Sequence, residues 1–190
     1  MSRHSVCVYC GSRSGATASF AEEATKLGRA LAGNGWRLVY GAGDVGLMGT
    51  VARAAQDAGG ATLGVIPVHL VAREAGRIDP SRHIVTENMH ERKKVMFMNC
   101  DAVAVLPGGA GSLDEFFEVL TWRQLGLHDK PIYLLNVEGY WDPLLALVDH
   151  VIAQGFADQS LRGFVTSVAS AEELTGALRE ALSRRSVESE

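Results

Sequence analysis

No run of roughly 18 apolar residues occurs along this chain, so none of it reads as a membrane-spanning helix. Cysteine is scarce too: three residues, an odd number without framework spacing, which argues against a disulfide scaffold and for a reducing, cytoplasmic setting. Cys7 and Cys10 have redox spacing, but Cys7 falls inside a predicted strand, whereas redox pairs open a helix, so both read as buried thiols. The six histidines show neither HExxH nor paired-ligand spacing, and no metal is expected. Basic residues form no stripe, and the net charge is −4, which speaks against nucleic acid as a partner. An anionic ligand would have to be held by local donors against that overall field. Residues 1–5 lead straight into VCVYC, so no secretory leader is expected. A domain boundary, an internal repeat and a low-complexity run are likewise missing.

What remains is 190 residues of 47% apolar content, the size of one soluble domain, here expected over 1–184 with a polar tail at 185–190. Strand and helix patterns alternate. Strands are predicted at 5–9, 36–40, 61–67, 84–86, 102–106, 132–136 and 165–168. Helices are predicted near 19–32, 48–58, 89–99, 113–125, 143–153 and 171–184, and 68–82, with Pro80 and mixed charges, reads as a surface excursion. Such alternation implies an α/β fold, a doubly wound, Rossmann-like parallel sheet with helices on both faces. Ligands of these sheets sit beyond the carboxyl ends of the strands. Three glycine turns lie there: Gly11-Ser12, the GAGDVGLMG turn containing Gly43, and Gly108 to Gly111. GAGDVG fits the dinucleotide fingerprint only loosely, and no acidic residue follows about 20 positions on to hold a ribose. A hydride-transfer cofactor is therefore not expected, nor any other cofactor.

The segment DAVAVLPGGAGSLDEFFEVL, residues 101–120, is the most informative. A buried strand stops at Pro107, and Gly108, Gly109 and Gly111 can take backbone conformations closed to other residues. With Ala110 and Ser112 they can aim several N–H groups at one point, where a helix presents its positive end; that is a phosphate site. Two carboxylates follow, Asp114 and Glu115. Glu115 has a plain alternative role, because Ser112 to Glu115 has the form of a capping box. On helix 89–99, Met89, Arg92, Lys93 and Met96 share a face. Two cations in an apolar stripe either meet an anion or snorkel to water. Arg92 would meet an anion with a planar fork and Lys93 with a point charge.

ENMHERKKVMF followed by LPGGAGSLDE, TWRQLG and PIYLLN, together with YGAGDVGLMG, resembles the Lonely Guy family, cytokinin-activating phosphoribohydrolases once labelled lysine decarboxylases. The likeness runs from about Val6 to Phe156. It implies hydrolysis of the N-glycosidic bond of N6-modified adenosine 5′-monophosphates, giving free base and ribose 5-phosphate. It also implies Arg92 and Glu115 as catalytic residues, and substrate contacts at Glu74, Arg92, Lys93, the Gly109 to Glu115 turn and Thr121. Ser112 stands where threonine is usual, Asp114 where glutamate is frequent, and Ala42 where glycine is common. Lysine decarboxylation would need a Schiff-base lysine and a pyridoxal pocket, for which the sequence offers no support.

The chemistry suits these residue types. Cleaving C1′–N9 builds oxocarbenium-like charge, which a carboxylate below the anomeric carbon stabilises. Helix 112–126 carries Leu113, Phe116, Phe117 and Leu120 on one stripe and Val119, Trp122 and Leu125 around it, so it needs cover beyond its own sheet. A homodimer through this helix is expected. The competing function is a non-catalytic nucleotide or molybdenum-cofactor carrier of the same fold, which would not require the carboxylate.

Overall fold

Alternation along the first strand sorts its side chains into two separate cores. In the computed structural model, which describes residues 4–74 and 82–188, strand β1 (Ser5–Tyr9) is wholly buried. Val6 and Val8 face one hydrophobic layer with Phe20, Leu27, Val51 and Leu178, while Cys7 and Tyr9 face another with Met96, Phe116, Val119 and Leu144. A strand buried on both faces belongs to a parallel sheet sandwiched by helices. That sheet has seven strands: β1, β2 (Arg37–Tyr40), β3 (Thr62–Pro67), β4 (His83–Thr86), β5 (Ala102–Val105), β6 (Ile132–Leu135) and β7 (Val165–Val168). Their order is β4-β3-β2-β1-β5-β6-β7, and every pairing is parallel.

Helices α1 (Ala18–Gly33), α2 (Gly46–Asp57) and α8 (Ala171–Glu188) supply the first layer. Helices α4 (Met89–Met98), α5 (Ala110–Gln124), α6 (Asp142–Ala153) and α7 (Ser160–Gly163) supply the second. The stretch expected as a surface excursion starts instead with α3 (Val68–Glu74), a helix of seven residues. Helix α8 runs to Glu188, into the stretch expected as tail.

The strand order reverses between β1 and β5, whose register pairs Val6 with Ala102 and Tyr9 with Val105. Chains leaving these two strands diverge to opposite faces, which opens a crevice at their carboxyl ends. The fold therefore fixes where a ligand can enter.

The start of α5 departs from expectation. The helix begins at Ala110, with Gly109 as its N-cap in extended geometry (φ −96°, ψ −152°) and no side-chain cap. Leu113 N–H bonds to the Gly109 carbonyl at 3.1 Å, so Ser112 already lies inside the helix. The capping box between Ser112 and Glu115 is thus overturned: a residue within the first turn cannot cap it, and Glu115 has no end to reach back to. Comparable capping occurs at α4, where Asn88 Oδ1 accepts from Glu91 N–H at 2.9 Å and Glu91 accepts from Glu87 N–H at 2.7 Å.

Candidate active site

The crevice at the β1/β5 switch is a cleft of about 500 Å³. Gly11, Ser12 and Arg13 line it after β1, and Pro107 to Ser112 line it after β5. Gly11 N–H bonds to the Pro107 carbonyl at 3.0 Å, so the two turns are tied together. Neither Gly108, Gly109 nor Gly111 has a positive φ, contrary to the reason expected for them. Gly108 is required by close approach: a β-carbon there would collide with the Ser112 hydroxyl. At Gly109 and Gly111 a β-carbon would meet only open space, so their lack of one leaves the backbone bare to the cleft.

No partner among the described residues takes the N–H groups of Gly109, Ala110, Gly111 and Ser112, as a helix start dictates. The Ser112 hydroxyl is buried and also without a partner. A buried hydroxyl left unbonded costs roughly 1–3 kcal/mol, so this helix start holds unfilled donor capacity beside its positive end.

Arg92 and Glu115 form the floor. Arg92 is 6% exposed, donating from Nη2 to the Gly41 carbonyl at 2.8 Å and from Nε to the Val65 carbonyl at 3.1 Å. A β-carbon at Gly41 would collide with that guanidinium, so this glycine makes room for the arginine. Both oxygen acceptors are neutral carbonyls, which leaves the cation without a bound counter-charge among the described residues. Glu115 is 8% exposed and makes no hydrogen bond or ion pair among the described residues. Burial lifts its pKa to about 7, the Arg92 charge works against that lift, and Asp114 adds to it. The site thus holds a carboxyl poised to change charge near neutrality. Cys10 shares the floor, but burial and then the Glu115 charge push its thiol upward, so it is no nucleophile.

The other expected residues divide. Met89 lines the cleft and accepts from Arg92 Nη1 at 3.7 Å through its sulfur. Lys93 is buried but lies off the cleft lining, paired with Asp114 at 2.9 Å and Glu118 at 2.7 Å. Burial opposes its charge, yet the two carboxylates outweigh burial and hold the ammonium above the ordinary lysine value. Gly43 is buried beside the second turn, its N–H on Met48 Sδ at 3.1 Å, and that turn reaches the cleft only through Leu47 and Met48. Ala42, where the resembling family commonly has glycine, sits at φ +61°, a left-handed conformation that costs a non-glycine residue roughly 1–2 kcal/mol. Thr121 is exposed on α5, away from the lining. Glu74 closes α3, and its side chain lies outside the described residues. Sequence reasoning missed Arg13, Phe20 and Tyr140, which also line the cleft. The signal for Tyr140 was its place just after β6, at the same carboxyl edge.

Fold and site define an α/β protein of Rossmann-like type whose switch-point cleft sets the open N–H groups of a helix start beside a buried acid. The family profile described as "Possible lysine decarboxylase" matches residues 48–178. The chain is 46% identical over 169 residues to a probable cytokinin riboside 5′-monophosphate phosphoribohydrolase of Oryza sativa subsp. japonica, covering 89% of this chain and 76% of that one. It is 42% identical over 175 residues to a cytokinin riboside 5′-monophosphate phosphoribohydrolase of Arabidopsis thaliana, covering 92% and 81%. Among solved structures, the molybdenum cofactor carrier protein of Chlamydomonas reinhardtii superposes with a TM-score of 0.70 at 20% identity, over 95% of this chain and 98% of that one, which shows the shared fold. The chain belongs to the Lonely Guy family of cytokinin riboside 5′-monophosphate phosphoribohydrolases, the group that carries the older lysine decarboxylase description. A pyridoxal group does not fit this cleft. Among the described residues no lysine lines it, Lys93 is held charged by two carboxylates, and Lys94 is exposed.

Proposed function

We propose that this chain hydrolyses the N-glycosidic bond of N6-modified adenosine 5′-monophosphates, and of AMP itself to some degree, yielding free base and ribose 5-phosphate. One observation carries the reading: Glu115, a buried residue without a hydrogen bond or ion pair among the described residues, lies in the same cleft as the open amides of Gly109 to Ser112. A carrier or sensor needs the amides but gains nothing from an unpaired buried acid. The names of the relatives supply the substrate class.

In this reading the 5′-phosphate sits on the amides of Gly109 to Ser112 and on the Ser112 hydroxyl, with Gly11, Ser12 and Gly108 shaping the pocket. Binding energy gained there, remote from the reacting carbon, holds the sugar in place. Glu115, when ionised, stabilises the positive charge that grows on the ribose as C1′–N9 breaks, and takes a proton from the water that attacks C1′, while the electron pair of the broken bond leaves with the purine, which gains a proton and departs as the free base. Arg92 favours the ionised carboxylate and faces the anionic substrate, while Met89 borders the pocket. Residues 1–184 act as one nucleotide-binding unit.

We read the assembly as a homodimer in a reducing cytoplasm. Phe117 on α5, 38% exposed, and its C-cap Leu125, 67% exposed, remain uncovered, and all three cysteines are free thiols. Among the described residues, no helix is long and apolar enough to cross a membrane. The test is direct: purified protein with isopentenyl-AMP releases isopentenyladenine and ribose 5-phosphate in equal amounts. Tight nucleotide binding with no base released would replace this reading with the carrier.

A further inference from the structure

Resting on the proposed phosphate-binding role of the α5 start, we infer that Tyr140 is a positioning residue: its phenol sets the peptide that presents the first anion-binding amide. The Tyr140 hydroxyl donates to the Gly108 carbonyl at 2.7 Å, across 32 positions of sequence. No cis peptide occurs among the described residues, and in a trans peptide the carbonyl and the following N–H point in opposite directions. Holding the Gly108 carbonyl on the phenol therefore turns the Gly109 N–H to the opposite side, away from the phenol. It also keeps the carbonyl lone pairs off an incoming anion, which they would repel. Since α5 has no side-chain cap, no capping residue does this work in its place.

Tyr140 is itself held in place. Trp141 N–H bonds to Asn136 Oδ1 at 2.6 Å, and Asn136 Nδ2 bonds to Asp142 Oδ1 at 2.7 Å, which closes the loop after β6. Within that loop Glu138 takes φ +52°, a left-handed residue that completes the turn. The Tyr140 ring meets Phe20 edge-to-face at 5.5 Å, and both rings line the cleft. The loop that follows β6 thus reaches back over β5 and aims one hydroxyl at the phosphate turn. Such support shells commonly decide whether a first layer of contacts is tight enough to work.

The experiment measures anion binding apart from turnover. Binding of ribose 5-phosphate to the full chain is followed by calorimetry, alongside KM, kcat and thermal midpoint with isopentenyl-AMP. Tyr140→Phe, which keeps the ring, weakens ribose 5-phosphate binding and raises KM together, each by about tenfold, with kcat within about threefold and the midpoint little changed. Tyr140→Leu, which removes the ring as well, weakens binding at least as much. Unchanged ribose 5-phosphate binding in Tyr140→Phe overturns the inference, and so does a loss confined to Tyr140→Leu or a wild type that ignores ribose 5-phosphate. A wild type that binds this sugar phosphate and releases no base refutes the hydrolase reading while leaving Tyr140 judged by its binding.

Discussion

Replacing Glu115 by Gln separates a structural acid from a functional one, because the two roles predict opposite changes in stability. A carboxylate that caps or pairs is stabilised by folding, and its loss weakens the protein at neutral pH. Glu115 instead has its pKa raised from 4.5 to about 7, chiefly by burial. The folded state therefore binds a proton that the unfolded state gives up between these values, and the stability contributed by the protonated acid is lost as pH rises from about 4.5 through about 7. At about 1.4 kcal/mol per decade of proton affinity, the gap comes to roughly 3 kcal/mol by pH 8. This figure already contains the favourable field of Arg92. Gln keeps the shape and cannot ionise, so at pH 5 Glu115→Gln stays within about 1 kcal/mol of the wild type, while at pH 8 it is more stable by roughly 3 kcal/mol, or on the order of 6–12 °C in midpoint for a chain of this size. Thermal or urea unfolding without ligand at pH 5, 6, 7 and 8 reads this directly. Base release is lost in the variant, and in the wild type kcat/KM climbs with pH through about 7 as the carboxyl ionises. Parallel stability curves for variant and wild type, or a variant less stable at pH 8, would refute the argument.

Gly41→Ala places a methyl group against the Arg92 guanidinium; kcat/KM for the nucleotide falls by about a hundredfold or more, while circular dichroism shows the fold retained. Ser112→Ala removes a buried hydroxyl that has no partner; the empty protein gains up to about 1 kcal/mol by denaturant unfolding, and ribose 5-phosphate binding weakens about five- to tenfold. Lys93→Met removes a buried ammonium from Asp114 and Glu118. Both carboxylates retain some contact with water, so the cost is about 1–2 kcal/mol at pH 7, and KM moves less than about threefold because the lysine is off the cleft lining.

The parallel sheet was legible because strands such as β1 and β5 are apolar on both faces, and no other architecture covers such strands. Their glycine turns followed, since a doubly wound sheet leaves one edge where such turns gather. What sequence could not show was distance across elements. Arg92 and Lys93 are neighbours on one buried face of α4, yet packing sends one to Gly41 under β2 and the other to the acids of α5. Tyr140 offered only its place after β6 as a signal, because a lone aromatic in a loop has no periodicity and its aim depends on β6 lying beside β5.

The capping box at Ser112 and Glu115 was misread for a different reason. The spacing is right, but Gly109 caps with backbone alone, which moves Ser112 inside the helix and strips both side chains of their expected partners. An ordinary helix start such as that of α4 consumes its polar groups locally, on Asn88 and Glu91. At α5 the corresponding groups have no partner among the described residues: the buried Ser112 hydroxyl, the carboxyl of the buried Glu115, and the N–H groups of Gly109 to Ser112, where Gly109, Ala110 and Gly111 are exposed. Arg92, its guanidinium oxygen-bonded only to neutral carbonyls among the described residues, completes the set. The buried hydroxyl and the buried acid are unfavourable for the isolated chain, and all of these groups adjoin one cleft where the strand order reverses. On the proposed reading, local rules fail there together because the groups that break them are complementary to a molecule outside the chain, one that brings an anion to the amides and a developing positive charge to the acid.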